Sequence, residues 1–100
     1  MNKVEKKINI SHFLDADGKI GQIPAANKKK MAVLDYLCGK FEQERIYSEK
    51  EVNGIINVWH TFGDYFILRR LLIDHKFLER TPNGEKYWAV KKEDEKDGDI

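Results

Sequence analysis

The sequence predicts an α+β fold of the winged helix-turn-helix type: an N-terminal β-hairpin, three helices and a C-terminal β-hairpin forming the wing. Three observations carry this expectation. Ser48-Glu49-Lys50-Glu51 has the S-x-x-E form of a capping box and opens an amphipathic segment. A second helix start, Thr61-x-x-Asp64, follows the end of that segment almost at once, which is the spacing of a helix-turn-helix. Beyond the next helix, Pro82-Asn83-Gly84 separates two β-prone, aromatic-rich runs, a good hairpin signal.

Residues 1–7 and 91–100 are polar and lack periodic apolar positions, so they are expected to be a flexible N-terminal segment and a disordered charged tail around a domain spanning 8–90. One hundred residues with 41% apolar and 35% charged side chains suit one soluble domain with a modest core. Ile8-Asn9-Ile10 and Phe13-Leu14 lead into Asp15-Ala16-Asp17-Gly18 and then Lys19-Ile20-Gly21-Gln22-Ile23, so a first hairpin is expected there. The DADG stretch is read as a turn rather than a calcium loop. Counted from Asp15, the sixth and twelfth positions hold Ile20 and Ala26 instead of the Gly and Glu that such a loop requires.

Pro24 ends that strand, and a helix is expected over 27–41, with Met31, Leu34, Leu37, Cys38 and Phe41 on its buried face. The second helix is expected over 49–59, burying Val52, Ile55, Ile56 and Trp59. Gly54 inside it costs about 1 kcal/mol against alanine and suggests close packing. On the third helix Tyr65, Leu68, Leu71 and Leu72 gather on one side, with Phe62, Phe66, Arg69, Arg70 and Ile73 toward the other. The wing is expected from 77–81 and 86–90, with alternation turning one of Tyr87 and Trp88 inward. Trp88 is the expected core residue, and base stacking is the other use of this pair.

Charge and cysteine usage narrow the function class. The net charge is +1 overall. The last ten residues hold three lysines and five acids, so residues 1–90 carry 15 basic and 12 acidic side chains, a net of +3. This excess is small for a nucleic-acid-binding domain. No apolar run reaches the roughly 18 residues that cross a bilayer, and the Lys-rich start lacks a signal peptide's apolar stretch, so a cytoplasmic protein with no membrane partner is expected. Cys38 stands alone, which excludes an internal disulfide and, on an apolar helix face, reads as a small core residue. His12, His60 and His75 show no metal-ligand spacing, and there is no P-loop, G-x-S-x-G or G-x-G-x-x-G. Neither an enzyme nor a cofactor is expected, and His60, at a helix end, is expected to cap carbonyls.

The run WHTFGDYFILRRLLIDHKFLERTPNGEKYW, with FLDADGKIGQIPAANKKKMAVLDYL and YSEKEVN ahead of it, resembles a bacterial domain-of-unknown-function family, number 2087 in that series, over about residues 13–88. That family occurs as stand-alone small proteins and joined to winged-helix repressors of the ArsR type. The resemblance implies an association with transcriptional regulation and supplies no catalytic or ligand residues. LRRLLIDHKFLER also looks like the end of the recognition helix in many bacterial regulators. It departs from that pattern at Lys76, where those families have Gly, and by a spacing from Arg69 to the strand about three residues shorter.

Double-stranded DNA is therefore the expected partner. Arg69 and Arg70 would reach bases or phosphates from the third helix, and Arg80 and Lys86 would reach phosphates from the wing. For Arg69 or Arg70 the competing use is an internal pair with Asp64 or Asp74. Lys28, Lys29 and Lys30 sit in a helix first turn against the usual preference for acids there, and are candidate phosphate contacts or a solvated surface run. The alternative function is a protein-interaction module on the same scaffold, binding a protein partner or a second copy through Phe62, Phe66 and Ile73.

Overall fold

Helix starts are set by short polar side chains that satisfy amides left without a helical partner. In the computed structural model, which describes residues 8–90, two such starts open consecutive helices. Helix α2 (Glu49–Val58) opens with a reciprocal capping box. The Glu51 N–H donates to the Ser48 hydroxyl at 3.1 Å, and the Ser48 N–H donates to the Glu51 carboxylate at 2.9 Å. Helix α3 (Tyr65–Asp74) opens with Asp64, whose Oδ1 accepts from the Ile67 N–H at 3.2 Å. Buried His60 pins the turn between them. Its Nδ1 donates to the Ile56 carbonyl at 2.7 Å, as expected of a carbonyl cap, and its Nε2 accepts from the Asp64 N–H at 2.9 Å. This pair of partners assigns the Nδ1–H tautomer.

Helix α1 (Asn27–Cys38) is shorter than its apolar periodicity suggests. Beyond Cys38 the bonding tightens to a three-residue step, Lys40 N–H to Leu37 O and Phe41 N–H to Cys38 O, and this turn folds Phe41 back into the core. Val33, Leu34, Leu37 and Cys38 form the buried face, while Met31 is half-buried. Close by, where Cys38 Sγ lies 3.4 Å from the Phe77 carbonyl, α3 stops in a Schellman arrangement: Phe77 N–H bonds Leu72 O at 2.8 Å and Lys76 N–H bonds Ile73 O at 3.1 Å. The residue between them in left-handed conformation is Lys76, with φ of 65°. The lysine that stands where glycine is usual thus carries the backbone geometry that glycine adopts without cost.

Strands β1 (Leu78–Arg80) and β2 (Tyr87–Ala89) pair antiparallel in the register Leu78↔Ala89, Glu79↔Trp88, Arg80↔Tyr87. The expected hairpin is present, and Gly84 takes its positive φ of 74° at the tip. The far edge of β2 is occupied by Tyr47, which exchanges two backbone bonds with Tyr87 at 2.8 and 2.9 Å. This one-residue strand ahead of α2 has no signature in the sequence. It fastens the hairpin to the helices and decides the face of β2: Tyr87 and Ala89 go inward and Trp88 outward. The core residue of the pair is Tyr87, correcting the expectation for Trp88.

The expected N-terminal hairpin does not extend into paired strands. Asp15 Oδ1 accepts from the Asp17 and Lys19 N–H groups, both at 2.9 Å, and makes the plain turn expected of DADG. Antiparallel pairing around that turn is limited to the bridge Leu14↔Ile20, and the chain before it coils into a short 3-10 turn, Ser11–Phe13. Ile20 also bridges to the segment after α2, donating to Trp59 O at 2.8 Å and accepting from the Thr61 N–H at 3.0 Å. Its side chain, fully buried, joins Leu34, Leu37, Ile56, Leu68, Leu72 and Leu78 in one core.

The result is an α+β domain of three helices and a small antiparallel sheet, an arrangement compatible with a winged helix. The two charged ends, 1–7 and 91–100, lie outside the described residues. No helix among the described residues is long and apolar enough to cross a membrane.

Gly54 corrects a further expectation. Among the described residues, no heavy atom beyond its chain neighbours and the local helix backbone lies within 4 Å of the position its Cβ would occupy, so its place in α2 is open rather than closely packed. Gly54→Ala is expected to stabilise the domain by about 1 kcal/mol, raising the urea midpoint at constant m-value. Lys76→Gly is expected to stabilise it by roughly 0.5–1 kcal/mol, because the left-handed position no longer carries a Cβ. Thermal melts of both variants check these signs.

Candidate functional site

With Leu68 and Leu72 of α3 in the core, helical spacing turns Phe66, Ile67, Arg70 and Asp74 to the opposite side and leaves Arg69 at the boundary. The Arg69 side chain is only 14% exposed. Its Nη1 donates to Glu49 Oε2 at 3.0 Å and to Asn53 Oδ1 at 2.6 Å. Glu49 and Asn53 lie one turn apart on α2, so one guanidinium spans the α2–α3 contact. It also sits 5.3 Å from the Phe66 ring centroid and 5.8 Å from that of Tyr65, within cation–π range. An internal pair for this arginine was one of the two expected uses, but the partners are not Asp64 or Asp74. Asp64 caps α3, and Asp74 lies beside Arg70.

Arg70 is the outward cation of the pair, with its side chain 66% exposed and its Nε 3.6 Å from Asp74 Oδ2 one turn later. Exposed pairs of this spacing contribute a few tenths of a kcal/mol and open readily to a competing anion. Arg80 reaches the same region from the hairpin. The register places it on the face of Leu78 and Tyr87, and its Nη1 donates to the Thr81 carbonyl at 3.4 Å. The hairpin tip packs close to it: a Cβ on Gly84 would lie 3.4 Å from Arg80 Nη1 and 3.9 Å from Glu49 Oε1.

These residues enclose a groove of about 530 Å³ between α3 and the hairpin. Phe66, Arg70 and Ile73 form the helix wall, Arg80 and Gly84 the hairpin wall, and Glu49 closes one end. Three guanidinium groups, Arg69, Arg70 and Arg80, face two carboxylates, Glu49 and Asp74, so the lining has a surplus of one positive charge.

The remaining sequence candidates lie off the groove lining. Lys86 is exposed at the start of β2, Lys28 and Lys29 are exposed in the first turn of α1, and Lys30 is half-buried there. Phe62 rests edge-on against His60 with centroids 4.7 Å apart, away from the groove that Phe66 and Ile73 line. Sequence reasoning missed Ile67, which is 40% exposed beside Phe66 at 54%. Its signal was available, since a helix that buries Leu68 and Leu72 must turn position 67 outward. It also missed a second apolar hollow of about 480 Å³ on the outer face of the sheet, where exposed Ile46 meets Trp88 and Val90. That surface depends on Tyr47 setting the register of β2.

Residues 19–89 match the model of a family described as "Uncharacterized protein conserved in bacteria (DUF2087)", and the chain belongs to that family. No curated protein and no solved structure matches the chain.

The two arginines are expected to separate in a stability assay. Arg69→Met leaves Glu49 and Asn53 without their donor and is expected to lower the unfolding free energy by about 1–3 kcal/mol. Arg70→Ala removes only an exposed pair and is expected to change it by less than about 0.5 kcal/mol. Urea titrations of both variants against the wild type check the difference.

Proposed function

We propose that this domain is a winged helix-turn-helix module that binds double-stranded DNA, serving as a small cytoplasmic transcriptional regulator or an accessory part of one. The observation that carries the reading is the groove itself. A helix and a hairpin tip that are distant in sequence meet on one face, each bringing an exposed arginine, Arg70 and Arg80, to a common opening. In this reading α3 lies in the major groove and the hairpin is the wing on the phosphate backbone. Arg70 contacts a guanine edge or a phosphate, Arg80 contacts phosphate, and Arg69 is a positioning residue that holds α3 against α2. Lys86 and Lys28–Lys30 lie off the groove and serve, at most, as outlying backbone contacts. With two to three phosphates neutralised, the affinity should fall with salt at a log–log slope of about −2 to −3.

A second reading is favoured by a specific observation, the exposure of Phe62, Phe66 and Ile67 around the start of α3. In that reading the same face binds a protein partner or a second copy and no nucleic acid.

Anisotropy titration of labelled random-sequence duplex at about 50 and 200 mM salt distinguishes the two. The wild type is expected to bind with the slope given above. The combined variant Arg70→Ala, Arg80→Ala is expected to bind at least about tenfold more weakly, the loss of one good base or charge contact, while keeping its urea midpoint. A folded wild type that binds no duplex at the lower salt overturns the DNA reading. Loss of self-association by Phe66→Ala in sedimentation then supports the second.

A further inference from the structure

We infer that Phe66 and Ile67 read the 5-methyl groups of thymine, so that the target is a duplex carrying thymine about two base-pair steps from the base contacted by Arg70; the inference rests on the DNA-binding reading above.

Phe66 and Ile67 are the second and third residues of α3. In helix-turn-helix docking the N-terminal residues of the recognition helix meet the base edges, so these two would enter deepest. Neither is covered by the hairpin or by α2, as their exposures of 54% and 40% show. The Phe66 ring also has one ordered neighbour. The Arg69 guanidinium lies 5.3 Å from its centroid and is itself fixed to Glu49 and Asn53, a contact that favours the outward setting of the ring and lowers the freedom lost on binding.

The chemistry of the opposing surface then selects the base. The major-groove edge of DNA presents donors and acceptors for every base pair, and its one apolar group is the thymine methyl. A phenyl ring and a branched aliphatic chain placed against any other edge would desolvate polar atoms without replacing their hydrogen bonds. Electrostatics cannot substitute for this contact, because the groove lining has a surplus of only one positive charge. Arg70 follows Phe66 by four residues on the same helical face and can exchange its exposed pair with Asp74 for the O6/N7 edge of a guanine. Four residues rise about 6 Å along a helix, against about 3.4 Å per base pair, which places the thymine about two steps from the guanine.

The test uses the full chain and duplexes enriched by it from a random-sequence pool. The tightest binder is remade with deoxyuridine for thymine, which removes only the 5-methyl groups. Affinities are measured by anisotropy for wild type, Phe66→Ala and Ile67→Ala, with urea midpoints confirming the fold. The expected result is that deoxyuridine weakens wild-type binding by roughly fourfold per contacted methyl. Phe66→Ala should bind the thymine duplex more weakly and discriminate less between the two duplexes. Equal wild-type affinity for both overturns the inference and leaves the DNA reading standing. An equal loss on deoxyuridine in wild type and in both variants also overturns it, since the effect would then arise from duplex shape. A wild type that enriches no duplex overturns both readings.

Discussion

The contact on which the candidate site depends is the guanidinium of Arg69 against Glu49 and Asn53. A helix pair in a small domain is held mainly by apolar packing, which is non-directional. Leu68 and Leu72 would tolerate several settings of α3 against Val52 and Ile56. One charged donor reaching two acceptors a turn apart on α2 removes that freedom. Its placement begins with the capping box. Ser48 fixes the first turn of α2, the position where a carboxylate is also favoured by the helix dipole, and so presents Glu49 to α3. From Arg69 the constraint passes to the Phe66 ring, and Glu49 stands near the hairpin tip at Gly84.

The rest of the architecture is tied by bridges of one residue where a larger protein would use whole strands. Ile20 joins the N-terminal segment to the turn after α2, and Tyr47 joins the connection ahead of α2 to the hairpin. Each tie supplies two backbone bonds while its neighbours bend away, and each brings a buried side chain into the core. Tyr47 has a further role, because its ring meets Phe41 edge-on and its hydroxyl accepts from the Glu42 N–H at 2.8 Å, closing the end of α1 over the sheet. The short sheet is therefore buttressed on its inner side by packing and on its β2 edge by Tyr47.

The electrostatics of the groove follow from how its arginines are paired. Arg69 has a short, largely desolvated bond to a carboxylate, Arg70 a longer and exposed one, and Arg80 a bond to a backbone carbonyl. Charge available to an outside anion rises in the same order as internal engagement falls. Among the described residues no element covers the adjacent Phe66 and Ile67 of α3, so this face combines a modest positive charge with an apolar ridge. That combination distinguishes it from a purely phosphate-gripping surface.

What the sequence determined by itself is local. The capping box, the carbonyl bond of His60, the DADG turn, the hairpin and the Arg70–Asp74 pair all join residues near one another in the chain, whereas the start of α3 expected at Thr61 falls three residues later, at Asp64. Their chemistry is therefore written in short patterns. What only the tertiary structure decided involves partners far apart in the chain. Asn53 and Glu49 took Arg69, 16 and 20 residues on. Tyr47 chose Tyr87 over Trp88 for the core, and Trp59 and Thr61 took the second edge of Ile20, whose first edge bridges Leu14. Gly54 proved open because nothing packs over that side of α2. Apolar periodicity states which positions seek cover and is silent on what will provide it, since burial has no direction until the other elements arrive.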